Sequence, residues 1–393
     1  MAEWLKTSLI DIVELIGGGT PKTSKAEYWG GNINWLSVKD FNNENRYVYS
    51  TEKTITEEGL NNSSTKLLRK DDIIISARGT VGELAMIPFP MAFNQSCYGI
   101  RAKDGINSTF LYYLIKHSVR KLKAMTHGSV FDTITRNTFA NIEVSIPNIE
   151  TQQRVAKMLA DIDDKIENNQ RINNNLEQQA QAYFDELFVV NADPNWSECT
   201  LSDIGSVVAG GTPSKSKPEY YADQGIAWIT PKDLSVNKSK FISHGENDIS
   251  KLGFSKSSAA KMPAGTILFS SRAPIGYIAI AQNEVTTNQG FKSVIPNENI
   301  GTAYLYFLLK NLLPTIEGMA SGSTFKEISG STMKSVPTVM PDADTIQLFS
   351  SFCEPVFKEQ EILEAENQRL SALRDSLLPK LMSGELDVSD IDI

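Results

Sequence analysis

The sequence predicts an α+β protein: two homologous mixed α/β domains separated by two long helices that pair as an antiparallel coiled coil, the halves being related by a pseudo-two-fold axis. Three observations predict it. The 393-residue chain repeats itself at a spacing of 192 to 194 residues. Each copy opens with a globular stretch of short apolar runs between turn residues. Each copy closes with a glycine-free stretch of about forty residues whose apolar positions step by fours and threes, the mark of a helical seam.

The repeat is ordered along its whole length. Trp4 recurs as Trp196, Leu9-Ile10-Asp11-Ile12 as Leu201-Ser202-Asp203-Ile204, Gly18-Gly19-Thr20-Pro21 as Gly210-Gly211-Thr212-Pro213, and Glu27-Tyr28 as Glu219-Tyr220, all at an offset of 192. One insertion moves Trp35-Leu36 and Lys39-Asp40 onto Trp228-Ile229 and Lys232-Asp233 at 193. A second fixes the offset at 194. There Ser76-Ala77-Arg78 with Gly82 matches Ser270-Ser271-Arg272 with Gly276, and Asn94-Gln95 matches Asn288-Gln289. Gly128-Ser129-Val130-Phe131 likewise matches Gly322-Ser323-Thr324-Phe325, and Pro147 matches Pro341. This period is too long for a solenoid and reads as tandem duplication of a domain-plus-helix unit.

Residues 1–148 form the first domain. Asp72–Ser76 is a run of β-branched residues bounded by turn formers and reads as a strand, whereas Phe110–Met125 reads as a helix. Residues 149–195 hold the first long helix, with Val155, Leu159, Ile162, Ile166, Asn173 and Leu176 on its seam; forty residues at 1.5 Å each span about 60 Å. Residues 196–342 form the second domain, with strands at Gly265–Phe269 and Tyr277–Ile280 and a helix over Ala303–Met319. Residues 343–393 hold the second long helix and an acidic tail. Its seam is Phe349, Phe352, Val356, Leu363, Asn367, Leu370 and Leu377. Pro355 should kink or interrupt its start, and Pro379 with Gly384 should mark its end. A stripe this long cannot be buried by one helix, so the two are expected to pack on each other, with Asn173 and Asn367 at matching places as register-fixing polar contacts. Under the pseudo-two-fold axis the domains would lie at opposite ends of the pair.

The net charge of -9 argues against nucleic acid until it is divided by segment. Residues 1–148 carry 17 basic against 15 acidic side chains and residues 196–342 carry 13 against 12. The helical segments 149–195 and 343–393 carry 4 against 9 and 4 against 11. The acidity therefore sits in the helices and tail. The near-neutral domains can each hold a local basic face, but alone they would bind phosphate weakly. Cys97, Cys199 and Cys353 have no zinc or disulfide spacing and read as inert thiols, and the three histidines give no metal site. No membrane-length apolar run and no signal peptide is present, so a cytoplasmic location is expected.

Gly17-Gly18-Gly19-Thr20-Pro21 lacks the spacing to Lys-Ser/Thr of a phosphate loop and reads as a tight structural turn. Catalytic signals are missing: no adenine-methyltransferase motif, no glycine-rich cofactor fingerprint, no helicase loop and no nuclease cluster. The duplication supplies an internal comparison for binding residues. Groups shared by both halves, such as Asn94-Gln95 with Asn288-Gln289 and Arg78 with Arg272, suit scaffold or backbone contact. Groups that read different ligands must differ. Readers are expected in the divergent polar loops: Lys22 to Lys25 against Ser214 to Lys217, Asn42 to Arg46 against Ser235 to Lys240, and Asp132 to Asn137 against Lys326 to Ser331. The candidate DNA-binding residues are Lys22, Lys25, Lys39, Arg46, Arg78, Asn94, Gln95 and Arg136 in the first half. In the second they are Lys215, Lys217, Lys232, Lys240, Arg272, Asn288, Gln289 and Lys326.

Over nearly its whole length the chain resembles the type I restriction-modification DNA specificity subunits, the HsdS family. The resemblance rests on Gly-Gly-Thr-Pro followed by Tyr28, Trp35-Leu36 and Lys39-Asp40, and on the Ser-x-Arg-x-x-x-Gly elements at Ser76 and Ser270. It rests further on Pro147 with Gln152-Gln153 before the helix through Asn173-Asn174-Asn175-Leu176, and on Leu377-Leu378-Pro379-Lys380-Leu381 with Ser383-Gly384-Glu385-Leu386. The second helix departs from that pattern, with Ile346 where the first has Gln152. The resemblance implies two target recognition domains reading a bipartite double-stranded DNA site, with the helices setting the gap. It implies two methyltransferase subunits bringing S-adenosylmethionine for adenine N6 methylation, and motor-nuclease subunits using ATP and magnesium. This chain would bind no cofactor and catalyse nothing. A methyltransferase-only system would use the same chain. A rod-like scaffold presenting two ligand-binding domains would share the architecture; the low positive charge speaks for it, and the divergent polar loops speak for the DNA reader.

Overall fold

A computed structural model describes residues 4–42, 45–126, 133–322, 326–388 and 391. The chain divides into two compact units, Met1–Asn168 with Glu366–Ile393, and Asn169–Ala365. Each unit thus takes one domain together with part of both long helices. The first repeat of Gly-Ser-Val-Phe (128–131) and most of the second (323–325) lie outside the described residues, as do Asn43, Glu44 and Asp132 of the expected reader loops.

In the first unit one antiparallel sheet orders its strands Val13–Gly17, Cys97–Ala102, Ile73–Ser76, Leu84–Met86. The Ile73–Ser76 strand is buried throughout, which is why it reads as an unbroken apolar run. A second sheet orders Lys53–Ile55, Trp29–Leu36, Met91–Phe93, Leu67–Leu68, with the Trp29–Leu36 and Met91–Phe93 strands parallel. The ribbon Leu5–Ser8 with Glu143–Ile146 joins the two ends of the domain. The helix Ser108–Thr126 packs Phe110, Tyr113 and Leu114 against Ile73 and Ile75.

The second unit repeats this plan. Gly205–Ala209, Lys292–Pro296, Ile267–Ser271 and Ile275–Ala281 form the first sheet, extended by a parallel edge strand Phe241–Ile242. Tyr221–Ala222, Asn247–Ile249, Ile226–Ile229 and Thr286–Thr287 form the second, again with one parallel pair. Ser197–Thr200 with Pro337–Met340 closes the domain. The expected single helix over Ala303–Met319 is divided into Thr302–Asn311 and Leu313–Met319. Pro314 has no N–H to give the preceding turn and fits only in the first turn of a new helix.

The long helices run Ile149–Asp185, prolonged by a π-helical turn Glu186–Val190, and Ala343–Ser383. Both start alike after their prolines: Asn148 Oδ1 accepts from the Thr151 N–H at 2.9 Å, and Asp342 Oδ1 from the Thr345 N–H at 2.8 Å. The expected interruption at Pro355 is corrected: the helix continues through it. Pro355 is exposed and forfeits a single hydrogen bond, while Phe349, Cys353 and Leu363 of the same helix are buried and keep it packed.

Within each unit the two helices pair antiparallel. In the first, Asn367 Nδ2 donates to the Ile166 carbonyl at 3.4 Å and Lys165 meets Glu366 at 3.3 Å. In the second, Asn173 Nδ2 donates to the Gln360 carbonyl at 3.5 Å and Gln360 Nε2 returns to the Asn173 carbonyl at 3.1 Å. The two asparagine bonds are the same contact 194 residues apart. Ile166 and Leu363 are buried on the seam, and Ile162, Leu176, Val356, Leu370 and Leu377 are half-buried. Val155, Leu159 and Phe349 are more than seam residues: they sit in the domain cores, beside Phe110 and Phe307 respectively. Phe352 is 36% exposed, with its ring 4.8 Å from that of Tyr183. Past Gly384, Val388 is buried, and Arg154 Nη1 donates to the carbonyls of Val388 and Ile391 at 3.2 and 3.1 Å.

Candidate nucleic-acid interface

The Gly-Gly-Thr-Pro segments are close-approach elements. A Cβ on Gly18 would stand 2.1 Å from the Asn94 carbonyl oxygen, and one on Gly210 1.9 Å from that of Asn288, so only glycine lets the two loops touch. The following residues lock the same contact. The Thr20 hydroxyl donates to Gln95 Oε1 and the Thr212 hydroxyl to Gln289 Oε1. Trp35 Nε1 donates to the Gly19 carbonyl and Trp228 Nε1 to that of Gly211, each at 3.0 Å. Asn94 and Asn288 each use Oδ1 to accept a backbone N–H two residues on, at 3.0 and 2.8 Å. These shared amides brace the loops.

Beside this brace the second domain has an open cleft of about 600 Å³. It gathers Lys215, Lys232, Asn288 and Gln289 from the predicted set, together with Asn247 and the aromatic Trp228 and Tyr221. Its carboxylates are already occupied. Glu246 meets the Lys232 ammonium at 2.6 Å, an exposed contact that raises the lysine pKa. Asp233 caps the helix Pro231–Val236 by accepting from the Thr230 N–H and hydroxyl, each at 2.7 Å, and from the Glu246 N–H at 2.8 Å. The first domain repeats the cap, with Asp40 accepting from the Ser37 N–H at 2.7 Å and the Glu52 N–H at 2.8 Å and with Lys39 exposed alongside.

The remaining candidates scatter over the domains. Lys22 and Lys326 are exposed, and Lys25 and Lys217 pair with Glu27 and Glu219 at 3.1 and 3.8 Å in matching 3₁₀ turns. Arg78 and Arg272 sit in matching β-bridges, to Thr133 and Glu327, after the serine that orders their turn: Ser76 Oγ accepts from the Glu83 N–H at 2.8 Å and Ser270 Oγ from the Tyr277 N–H at 2.7 Å. Arg136 is exposed but donates Nη2 to the Leu15 carbonyl at 3.0 Å.

Two candidates are corrected. Arg46 and Lys240 are only 6% and 8% exposed. Arg46 Nη2 bonds Asp164 on the first long helix, and its N–H donates to Glu167 Oε1 at 2.8 Å. Lys240 Nζ meets Glu177 Oε2 at 2.5 Å and Gln360 Oε1 at 2.7 Å, and burial holds its ammonium below the ordinary lysine value. They fasten the domains to the helices and have no face for a phosphate. Sequence reasoning missed the rest of this joint. Tyr113 donates to Asp163 Oδ2 at 2.6 Å, and Arg374 Nη1 meets Asp163 Oδ1 at 2.9 Å, both carboxylate and guanidinium being buried. The thiols of Cys97 and Cys353 are buried and pushed up to about 12, as inert thiols are. Among the described residues no cluster could hold a metal, and no helix is long and apolar enough to cross a membrane.

Matched bracing in two duplicated domains, with a cleft of amide and ammonium groups in the second, defines a tandem-repeat protein with a candidate binding face. The family model for the type I restriction modification DNA specificity domain matches residues 1–178 and again 194–372. The chain belongs to that family, and recognition of a DNA target is its function. It is similar to the type I restriction enzyme MjaIX specificity subunit of Methanocaldococcus jannaschii, 29% identical with 99% of this chain and 95% of that one covered. It is also similar to the HindI specificity subunit of Haemophilus influenzae, at 26% identity with 68% and 74% covered. The S subunit of a type I restriction-modification system from M. genitalium has the same fold, with a TM-score of 0.61 at 18% identity over 99% of this chain and 97% of that one.

Proposed function

We propose that each domain reads one half of a bipartite DNA target and that the chain directs adenine N6 methylation, and restriction, performed by partner subunits. The observation that carries this reading is the internal duplication: one scaffold built twice, with the same braces and different exposed loops. Two methyltransferase subunits would bring S-adenosylmethionine, and motor-nuclease subunits would bring ATP and magnesium. This chain supplies the address and no reacting group. The near-neutral charge of the domains fits a reader whose partners provide most of the phosphate-binding surface. The exposed Ile172, Leu348, Ile362 and Leu373 on the long helices give those partners apolar surface to cover. The paired helices would set the unread gap between half-sites.

The test is long-read methylation mapping of a host that expresses the chain with its neighbouring methyltransferase. One split motif carrying N6-methyladenine, lost when the chain is deleted, is the expected result. An active methyltransferase with no chain-dependent motif would contradict the reading and leave the scaffold alternative.

A further inference from the structure

The cleft of the second domain can be sorted by what its polar atoms already do. The Thr212, Thr230 and Tyr221 hydroxyls and the Trp228 indole are all spent on protein oxygens. Lys232 is paired with Glu246. Among the described residues no protein group bonds the Asn247 carboxamide or the Lys215 ammonium, and both line the cleft. Asn247 lies opposite Trp228 in the antiparallel register of its sheet. In the first domain the residue opposite Trp35, the equivalent tryptophan, is Lys53. Both tryptophans are pinned to the same glycine carbonyl by bonds of 3.0 Å. An aromatic wall stands near each seat: Tyr221 OH donates to the Pro213 carbonyl at 2.9 Å, and Trp29 Nε1 to the Lys22 carbonyl at 3.3 Å, with Lys53 Nζ 5.9 Å from the Trp29 ring. Two backbones thus hold one seat in one frame with two chemistries. A carboxamide offers a donor and an acceptor side by side, whereas an ammonium offers donors only.

We propose that this seat determines specificity in both half-sites: Asn247 reads an adenine in the half bound by the second domain, and Lys53 reads a guanine in the half bound by the first. Adenine presents N7 as acceptor and N6 as donor in the major groove, the complement of a carboxamide; guanine presents N7 and O6, two acceptors for an ammonium. The shared Asn288, Gln289 and Lys232 carry no such distinction, since Asn94, Gln95 and Lys39 repeat them. The proposal rests on the bipartite-reader function argued above.

The test maps the methylation motif of the full chain with its partner methyltransferase, as wild type, N247K and K53N. A split motif in the wild type is the first expectation; its absence would overturn both the bipartite reading and this inference. Given the motif, N247K should replace one adenine by guanine in one half-site and leave the other half untouched, while K53N should do the converse in the opposite half. Both motifs unchanged, or both halves altered by one substitution, would overturn the assignment. Should N247K abolish methylation, N247A is assayed on duplexes changed one base pair at a time. Discrimination should fall about 10- to 100-fold at one position of one half-site; undiminished discrimination at every position would overturn it.

Discussion

The joints that fasten the two domains to the helices share a buried cation, Arg46 or Lys240, and differ in material at three other matched positions. In the first unit Asp163 and Arg374 form a buried ion pair to which the Tyr113 hydroxyl donates. Moving each by 194 residues gives Phe307, Phe357 and Ala180 in the second unit, an apolar cluster in which the two rings lie 6.1 Å apart. The second unit places its charge one step away: Glu177 takes Lys240 and Lys310 at 2.5 Å each, and Lys240 Nζ lies 3.8 Å from the centre of the Phe357 ring. Duplication has thus run the exchange of a buried ion pair for hydrophobic packing inside one chain. It teaches that the joint requires filled volume and balanced charge, not a particular bond. A buried ion pair is worth little over an apolar substitute but is costly to break in half.

The largest predicted effect follows from that asymmetry. Arg374→Ala leaves the Asp163 carboxylate buried without its cation and should destabilise the first unit by about 3–5 kcal/mol in denaturant unfolding. The triple exchange Tyr113→Phe, Asp163→Phe, Arg374→Ala copies the second unit and should recover most of that loss. A triple variant no more stable than the single one would break the comparison. Next in size is Glu177→Gln. Glu177 keeps 23% of its side chain exposed, so stranding Lys240 should cost less, about 2–3 kcal/mol. Burial alone would raise the Glu177 pKa, but the two ammonium groups hold it below the ordinary value of 4.5. Its stabilising contribution is therefore full above the unfolded carboxylate value and is lost as the pH falls through the lower folded value. Unfolding measured against pH should show this acid limb in the wild type and a shallower one in the glutamine variant.

The smallest effects separate anchors from phosphate contacts. Lys39→Met or Lys232→Met should lower the slope of log affinity for DNA against log salt by up to about one unit, the share of one phosphate contact. Arg46→Met should leave that slope unchanged while lowering stability. Equal slopes for all three variants would erase the distinction between exposed and buried cations.

That distinction marks where the sequence stopped being legible. The duplication, the sheet-bearing domains and the two helices could be read because periodic apolar residues and matched motifs survive at fixed offsets. The brace around Gly18 and Gly210 was legible in kind, since glycines recurring in both copies pointed to scaffold. From the sequence Arg46 and Lys240 read as DNA contacts, because polarity alone does not separate a reader from an anchor. Their exact offset of 194 and shared positive charge were the available signal that they belong to scaffold. Asp163 and Arg374 are 211 positions apart, and no spacing rule joins them. Pro355 misled in the other direction: its cost is local, whereas the packing of Phe349 and Leu363 that outweighs it depends on partners distant in sequence.

In the proposed function one chain holds two readers, and its paired helices set the gap between the half-sites they read. Once the split motif is mapped, methylation should be measured on duplexes whose unread gap is lengthened or shortened by a single base pair, with both half-sites intact. The account predicts a loss of at least about tenfold in either direction, because each added pair shifts one half-site by about 3.4 Å along the duplex and turns it about the axis. Methylation that tolerates the altered gap would show that the two domains read independently, and would contradict the account.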